Sequence, residues 1–429
     1  MRKKEDAEMP RGRDAENETR LKTSSANPRV SASPRPRVSH SPFLLELTVF
    51  TCGALVMIYE ITGSRLLAPY IGASVYVWTS LIGVILAALS LGYWLGGKLA
   101  DRKPDIKILA FVIFLAGGAV AVTILFKDLI LSFIAQIPVF LEIKSVLAAI
   151  LLFAPASVLL GFVTPYAVKL KMSSLEDAGK TVGRLYALST VGSILGTFLA
   201  GFFLIPFIGS TRTLYFIAAI LFVISILLAP FALTRLNLTL IIVFIFGIGA
   251  NELKSYFLAS AYDYHEIDTP YSNVRIFTAE EPETERKIRY LAIDPYYIQS
   301  SMYLDTGESS VKYIKFYHLL RHFKPDFEKS LLIGGAGYSF PRDYLQEYPQ
   351  AEIDVVEIDP QMTEIAKRFF RLEENPRLRV FHQDGRIFLN QAESNQYDTV
   401  FMDAFGSLFS VPFQLTTLEA VREIHRVLK

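Results

Sequence analysis

The 429-residue sequence predicts a multi-pass α-helical membrane domain followed by a small β unit and an α/β unit of parallel strands. Three observations carry this. More than half of the residues, 52%, are hydrophobic, and they gather into long runs before residue 250. After residue 330 short apolar stretches alternate with helical ones, the pattern of a parallel sheet covered on both faces. One of those stretches, Leu331 to Ile333, breaks into Gly334-Gly335-Ala336-Gly337, and the next ends in Glu357-Ile-Asp359 about 20 residues on.

The first 41 residues are rich in Arg, Lys, Glu, Ser and Pro. They hold too few large apolar side chains to repay the entropy of ordering, so a disordered basic tail is expected. No short apolar segment with a small-residue cleavage site follows, so the tail does not read as a signal peptide. Residues 42–253 form the expected transmembrane domain. Spans are placed near Phe43–Ile61, Tyr76–Leu95, Ile108–Phe126, Ser145–Tyr166, Leu185–Ile208, Thr213–Pro230 and Leu238–Ala250, because about 20 apolar residues cross about 30 Å of hydrocarbon. The seventh is short. Gly92, Gly96, Gly97, Gly192, Gly196 and Gly201 suit close helix approach in lipid.

Orientation follows from the basic loops. Lys98, Arg102, Lys103 and Lys107 follow the second span, and Lys169, Lys171, Lys180 and Arg184 the fourth, which assigns both loops to the cytoplasm. Seven crossings from a cytoplasmic tail would leave the C-terminal part outside, whereas its ligand chemistry favours the cytoplasmic side of a cell (inner) membrane. The cytoplasmic side is the expectation taken forward. Glu60 and Arg65, near the end of the first span, read as an interfacial ion pair or as part of a polar site in the bundle.

A shift to Tyr, Asp, His and Ser near residue 260 marks a boundary. Residues 262–305 form the small β unit, with Asn273–Thr278 and Lys287–Ile293 as a hairpin across an acidic loop. Residues 306–429 form the α/β unit, opening with a helical segment over Val311 to Phe323. Expected strands at Leu331–Ile333, Glu352–Glu357, Leu378–His382 and Thr399–Asp403 are followed by helices from Pro341, Pro360, Gly385 and Thr416.

Ligands of such sheets lie beyond the carboxyl ends of the strands, where Gly334, Gly335, Gly337, Glu357, Asp359, Asp384, Gly385 and Asp403 all fall. Glycine lets bare N–H groups approach a ligand. A carboxylate at the second strand end can accept from both ribose hydroxyls, Asp384 from an adenine amine, and Asp403 meets the reacting substituent. The pattern reads as a nucleoside pocket. A net charge of +1 and the absence of a basic aromatic stripe exclude nucleic acid as a partner. The single Cys52 and six scattered histidines offer no disulfide framework and no metal site.

These residues resemble a known family. Gly334–Gly337, Val356-Glu-Ile-Asp359, Asp384-Gly385 and Asp403-Ala-Phe-Gly406 are similar to the site motifs of spermidine synthase, a polyamine aminopropyltransferase with a small β domain and a Rossmann-like, methyltransferase-type domain. Gly63-Ser-Arg-Leu-Leu-Ala-Pro-Tyr70, Leu91-Gly-Tyr-Trp-Leu-Gly-Gly97 and Gly183-Arg-Leu-Tyr-Ala187 resemble bacterial multi-pass membrane proteins fused to such a domain. The resemblance implies transfer of an aminopropyl group from decarboxylated S-adenosylmethionine to a polyamine or other amine acceptor, without a metal. Asp403 would accept the proton, Glu357 hold the ribose, Asp384 and Gly385 the adenine side, and Gln299 and His318 face the amine substrate. It allows a homodimer and places the protein in the lipid bilayer. Gly337 and Gly406 stand where the family carries acids that hold an amine, so the polyamine half of the site is short of two carboxylates. The family fold also continues past the equivalent of Lys429, so the chain reads as C-terminally truncated. An S-adenosylmethionine-dependent methyltransferase, and a transporter or membrane sensor with a non-catalytic nucleoside-binding domain, are the alternatives.

Overall fold

A computed structural model describes residues 42–172, 178–230, 235–293, 297–405 and 412–429. The expected tail and Gly406 lie outside the described residues. The first half is helical: α1 (Pro42–Ile71), α2 (Val75–Arg102), α3 (Ile106–Gln136), α4 (Leu141–Gly161), α5 (Val163–Lys171), α6 (Ala178–Leu199), α7 (Ser210–Leu228) and α8 (Arg235–Tyr262). α6 runs on as π-helical turns over Ala200–Ile208, a stretch that contains Pro206, whose missing N–H cannot serve the regular ladder. Among the described residues, seven helical stretches are long and apolar enough to cross a membrane. The seventh, expected as a short run, belongs to the 28-residue α8.

Close backbone approach holds the bundle together. A Cβ on Gly192 would stand 2.0 Å from the Phe50 carbonyl oxygen, and one on Gly92 2.2 Å from that of Val158. Without side chains at these points α1 packs on α6 and α2 on α4. Gly97 and Gly201 do not share this role: one has a single neighbour at 4.0 Å and the other none within that distance.

The two ends of the bundle differ. At one end Glu46 pairs with Lys171 and Arg184, and Lys169 lies 2.7 Å from Asp101. At the other, Arg65 of α1 donates to the Pro270 carbonyl and the Ser210 N–H donates to Asp268 Oδ2 at 2.7 Å. The sheets therefore stand opposite the basic loops. Arg65 reaches toward them, and among the described residues it forms no ion pair with Glu60.

Four antiparallel strands, β1 (His265–Asp268), β2 (Asn273–Glu280), β3 (Lys287–Ala292) and β4 (Ser300–Tyr303), follow in sequential order. The expected hairpin is β2–β3, with Phe277 opposite Tyr290. The helical segment over 311–323 resolves into two single turns, α9 (Ile314–Tyr317) and α10 (Leu320–Phe323). Then β5 (Lys329–Ile333), α11 (Ser339–Glu347), β6 (Glu352–Val356), α12 (Pro360–Phe369), β7 (Leu378–Phe381), α13 (Gly385–Gln391), β8 (Thr399–Met402) and α14 (Leu418–Val427) build a parallel sheet of order β7-β6-β5-β8. Leu331, Leu332, Ile333, Ile353, Val355 and Val356 are buried, as strands covered on both faces require. Pro360 opens α12 directly after its cap Asp359, whereas α11 starts two residues before Pro341.

Candidate active site

The chain reverses from β5 at Gly334, whose φ of +99° a side chain would strain. A Cβ there would also stand 2.3 Å from the Asp403 carbonyl oxygen. Glycine thus brings the carboxyl ends of β5 and β8 together, and the Asp403 N–H closes the contact on Ile333 O at 2.8 Å.

Glu357, at the end of β6, receives three backbone N–H groups. Gly335 and Ala336 donate to its Oε2 at 2.8 and 3.1 Å, and Asp359 to its Oε1 at 2.9 Å. Burial pushes its carboxyl up and these donors draw it part of the way back, with burial prevailing. Asp359 and Asp384 cap α12 and α13: the first accepts from Gln361 N at 3.0 Å, the second from Arg386 N and Ile387 N at 2.8 and 3.1 Å. Among the described residues Asp403 has no cationic partner. Its Oδ2 accepts from Tyr313 Oη at 2.9 Å, and burial pushes its carboxyl up to about 6 against the hydroxyls of Tyr313 and Tyr317, which pull it down.

One cavity of about 430 Å³ joins these groups. Glu357, Asp359, Asp384 and Asp403 line it, with Gly334, Gly385 and Gln299 between them. Gln299 accepts from the Ile293 N–H through Oε1, while its buried Nε2 and the buried Asp359 Oδ2 have no partner among the described residues. Buried polar atoms are normally paired, so these two are candidate sockets for a polar ligand.

Three expected site residues do not line the cavity. Gly335 N is taken by Glu357, and Gly337 N donates to Ser300 Oγ at 2.9 Å. The turn thus presents Gly334 and Ala336 to the cavity, in place of a row of bare N–H groups. His318 lies away from the cavity, with Nδ1 at 2.7 Å from Tyr348 Oη and Nε2 at 2.9 Å from Asp343 Oδ2. Tyr313 and Tyr317, four residues apart on one face, are the aromatic residues that reach Asp403. The sequence reading missed them, although that spacing was its available signal. It also missed the wall supplied by Ser64, Arg65 and Ala68 from within Gly63–Tyr70.

A glycine turn between parallel strands, facing acids at successive strand ends, defines a Rossmann-like domain. The comparisons specify which. Residues 314–429 match the family described as "Spermine/spermidine synthase domain". The chain is 27% identical over 191 residues to the polyamine aminopropyltransferase of Vibrio vulnificus, covering 44% of this chain and 62% of that relative, under two thirds of its length. It is 23% identical to polyamine aminopropyltransferase 1 of Streptomyces coelicolor, over 90% of this chain and 75% of the relative, which takes in the helical half. The spermidine synthase structure from Thermotoga maritima aligns with 18% identity and a TM-score of 0.30, over 38% of this chain and 53% of that one.

Proposed function

We propose that the protein is a membrane-bound aminopropyltransferase that uses decarboxylated S-adenosylmethionine as co-substrate. The observation that carries this is a cation-free carboxylate, Asp403, sharing a cavity with the backbone-anchored Glu357. Glu357 would accept from the ribose hydroxyls, and Asp384 and Gly385 would border the adenine. An amine attacks the carbon beside the sulfonium: a C–N bond forms, the C–S bond breaks, methylthioadenosine leaves, and the nitrogen's surplus proton passes to Asp403. The sulfonium is already a good leaving group, so the chain's task is alignment, exclusion of water and acceptance of that proton. Gln299 faces the acceptor through its unpartnered amide. His318 has no part, because both its ring nitrogens are engaged elsewhere.

The test is release of methylthioadenosine by the purified chain given decarboxylated S-adenosylmethionine and a panel of amines. No release with any amine, from protein that binds methylthioadenosine, rejects the proposal. Calorimetry separates the methyltransferase alternative, which requires tighter binding of the carboxylated compound.

We also propose that the bundle spans a cell membrane with its basic end in the cytoplasm. The sheets stand at the other end, so this orientation and a cytoplasmic synthase part exclude each other. The charge bias favours the first. Cys52 is the single cysteine and is buried, so Glu283→Cys, in an exposed loop, places a lone reactive thiol on the sheets. An impermeant maleimide is expected to label it in intact cells. Labelling only after lysis would put the sheets in the cytoplasm.

A further inference from the structure

The first two helices supply part of the cavity wall. Ser64, Arg65 and Ala68 of α1, Ala73 of the turn that follows it and Trp78 of α2 line the same cavity as Asp403. Arg65 is the single cation among the described lining residues, and it acts electrostatically on Asp268 and Asp359. The remaining acids are committed as well: Glu357 holds three N–H groups and Asp384 caps a helix. Among the described lining residues, that leaves Asp403 as the one carboxylate answered only by neutral hydroxyls. Tyr297, Tyr313, Phe405 and Pro412 also line the cavity, and its other polar members, such as Ser272, Asn273 and Gln414, are neutral. Gly337 cannot make up the deficit, since even a Cβ there would come 2.6 Å from Ser300 Cβ.

We propose that the acceptor is a primary amine with a single positive charge and an apolar chain, its nitrogen at Asp403 and its chain running along the membrane-helix wall toward Trp78. This rests on the aminopropyl-transfer reading of the site. Besides Asp403, a second ammonium would find among the described lining residues only the unpartnered Asp359 Oδ2, a carboxylate already answered by the Arg65 charge, and an unpaired buried cation is costly. Methylene groups instead gain from every apolar surface they cover. Trp78 lies in the first turns of α2 and is 41% exposed, so the cavity wall reaches the surface at the end of two spanning helices. Tyr76, 54% exposed, accompanies it there, and both residue types favour the boundary between lipid and water.

The experiment uses the full chain in lipid nanodiscs with saturating decarboxylated S-adenosylmethionine. Methylthioadenosine release is followed with butylamine, hexylamine, octylamine, putrescine and spermidine. The expected kcat/KM rises with alkyl length and reaches roughly tenfold above putrescine at octylamine. Trp78→Ala should lower the octylamine value about fivefold and spare putrescine, and Arg65→Gln should narrow the gap by raising putrescine. Methylthioadenosine binding checks that each variant is folded. Putrescine or spermidine used as well as octylamine overturns this inference and leaves aminopropyl transfer standing. Equal loss for both amines in Trp78→Ala overturns the placement of the chain. No release with any amine, with nucleoside still bound, fells the transfer reading and this inference with it.

Discussion

The helical half and the sheet half both depend on glycine for close approach, and they put that approach to different use. Gly192 and Gly92 let one helix touch the backbone of another, and the result is a packed interior with its ion pairs at the rim, such as Glu46 with Lys171 and Arg184. Gly334 lets two strand ends meet, and the result is a cavity whose carboxylates have backbone or hydroxyl partners. In the first half charge is neutralised and kept at the ends. At the cavity of the second, Asp403 is buried without a counter-ion among the described residues, which is unfavourable for folding and useful for chemistry. The contrast teaches that the same residue serves stability or function according to what its neighbours leave unpaired.

Substitutions should separate the two halves. The largest effect is expected from Asp403→Asn, which should lower turnover by about 10³-fold and leave nucleoside affinity within about twofold, as read by single-turnover kinetics and calorimetry. A carboxyl raised to about 6 in the fold is favoured in its protonated form. Its contribution to stability is therefore full below its unfolded value and is lost as pH rises from about 4 to about 6, so the Asn variant should melt no lower than the parent at neutral pH. Catalysis runs the other way, because only the ionised form accepts a proton, and the rate should fall about tenfold per unit below pH 6.

Next, Gly192→Val should cost about 2 kcal/mol or more by driving a side chain into the Phe50 carbonyl. Thermal melting in detergent would show it, while nucleoside affinity of the folded fraction should not change. An equal loss of affinity would mean that the halves are not separable. The smallest effect is expected from Tyr313→Phe. It removes one of the hydroxyls that hold the Asp403 carboxyl down, so the acid limb of the rate profile should move to higher pH with less than a tenfold change in the plateau.

Long apolar runs and the alternation of strands and helices were legible because both are local patterns, and the cavity-lining acids because each lies within three residues of a strand end. Arg65 was not, since its partner Pro270 lies 205 residues away and nothing local distinguishes it from a headgroup anchor. The glycine turn was half legible: its position was clear, but Glu357 takes the Gly335 N–H that was expected to face a ligand. His318 misled because its neighbourhood resembles a family motif, whereas its ring is held by Tyr348 and Asp343. A buried acid in mid-strand, Asp354, went unread. Its partners Arg379 and Tyr397 come from the neighbouring strand β7 and the approach to β8, and form a structural cluster apart from the cavity lining.

The central claim is that acids at adjacent strand ends grip an adenosyl compound over the glycine turn. Calorimetric titration of the full chain and of Glu357→Gln with methylthioadenosine tests it most directly. Saturable binding to one site, weakened on the order of 10-fold or more in the variant, is the result expected. No binding to the parent chain, or equal affinity in the two proteins, would contradict it.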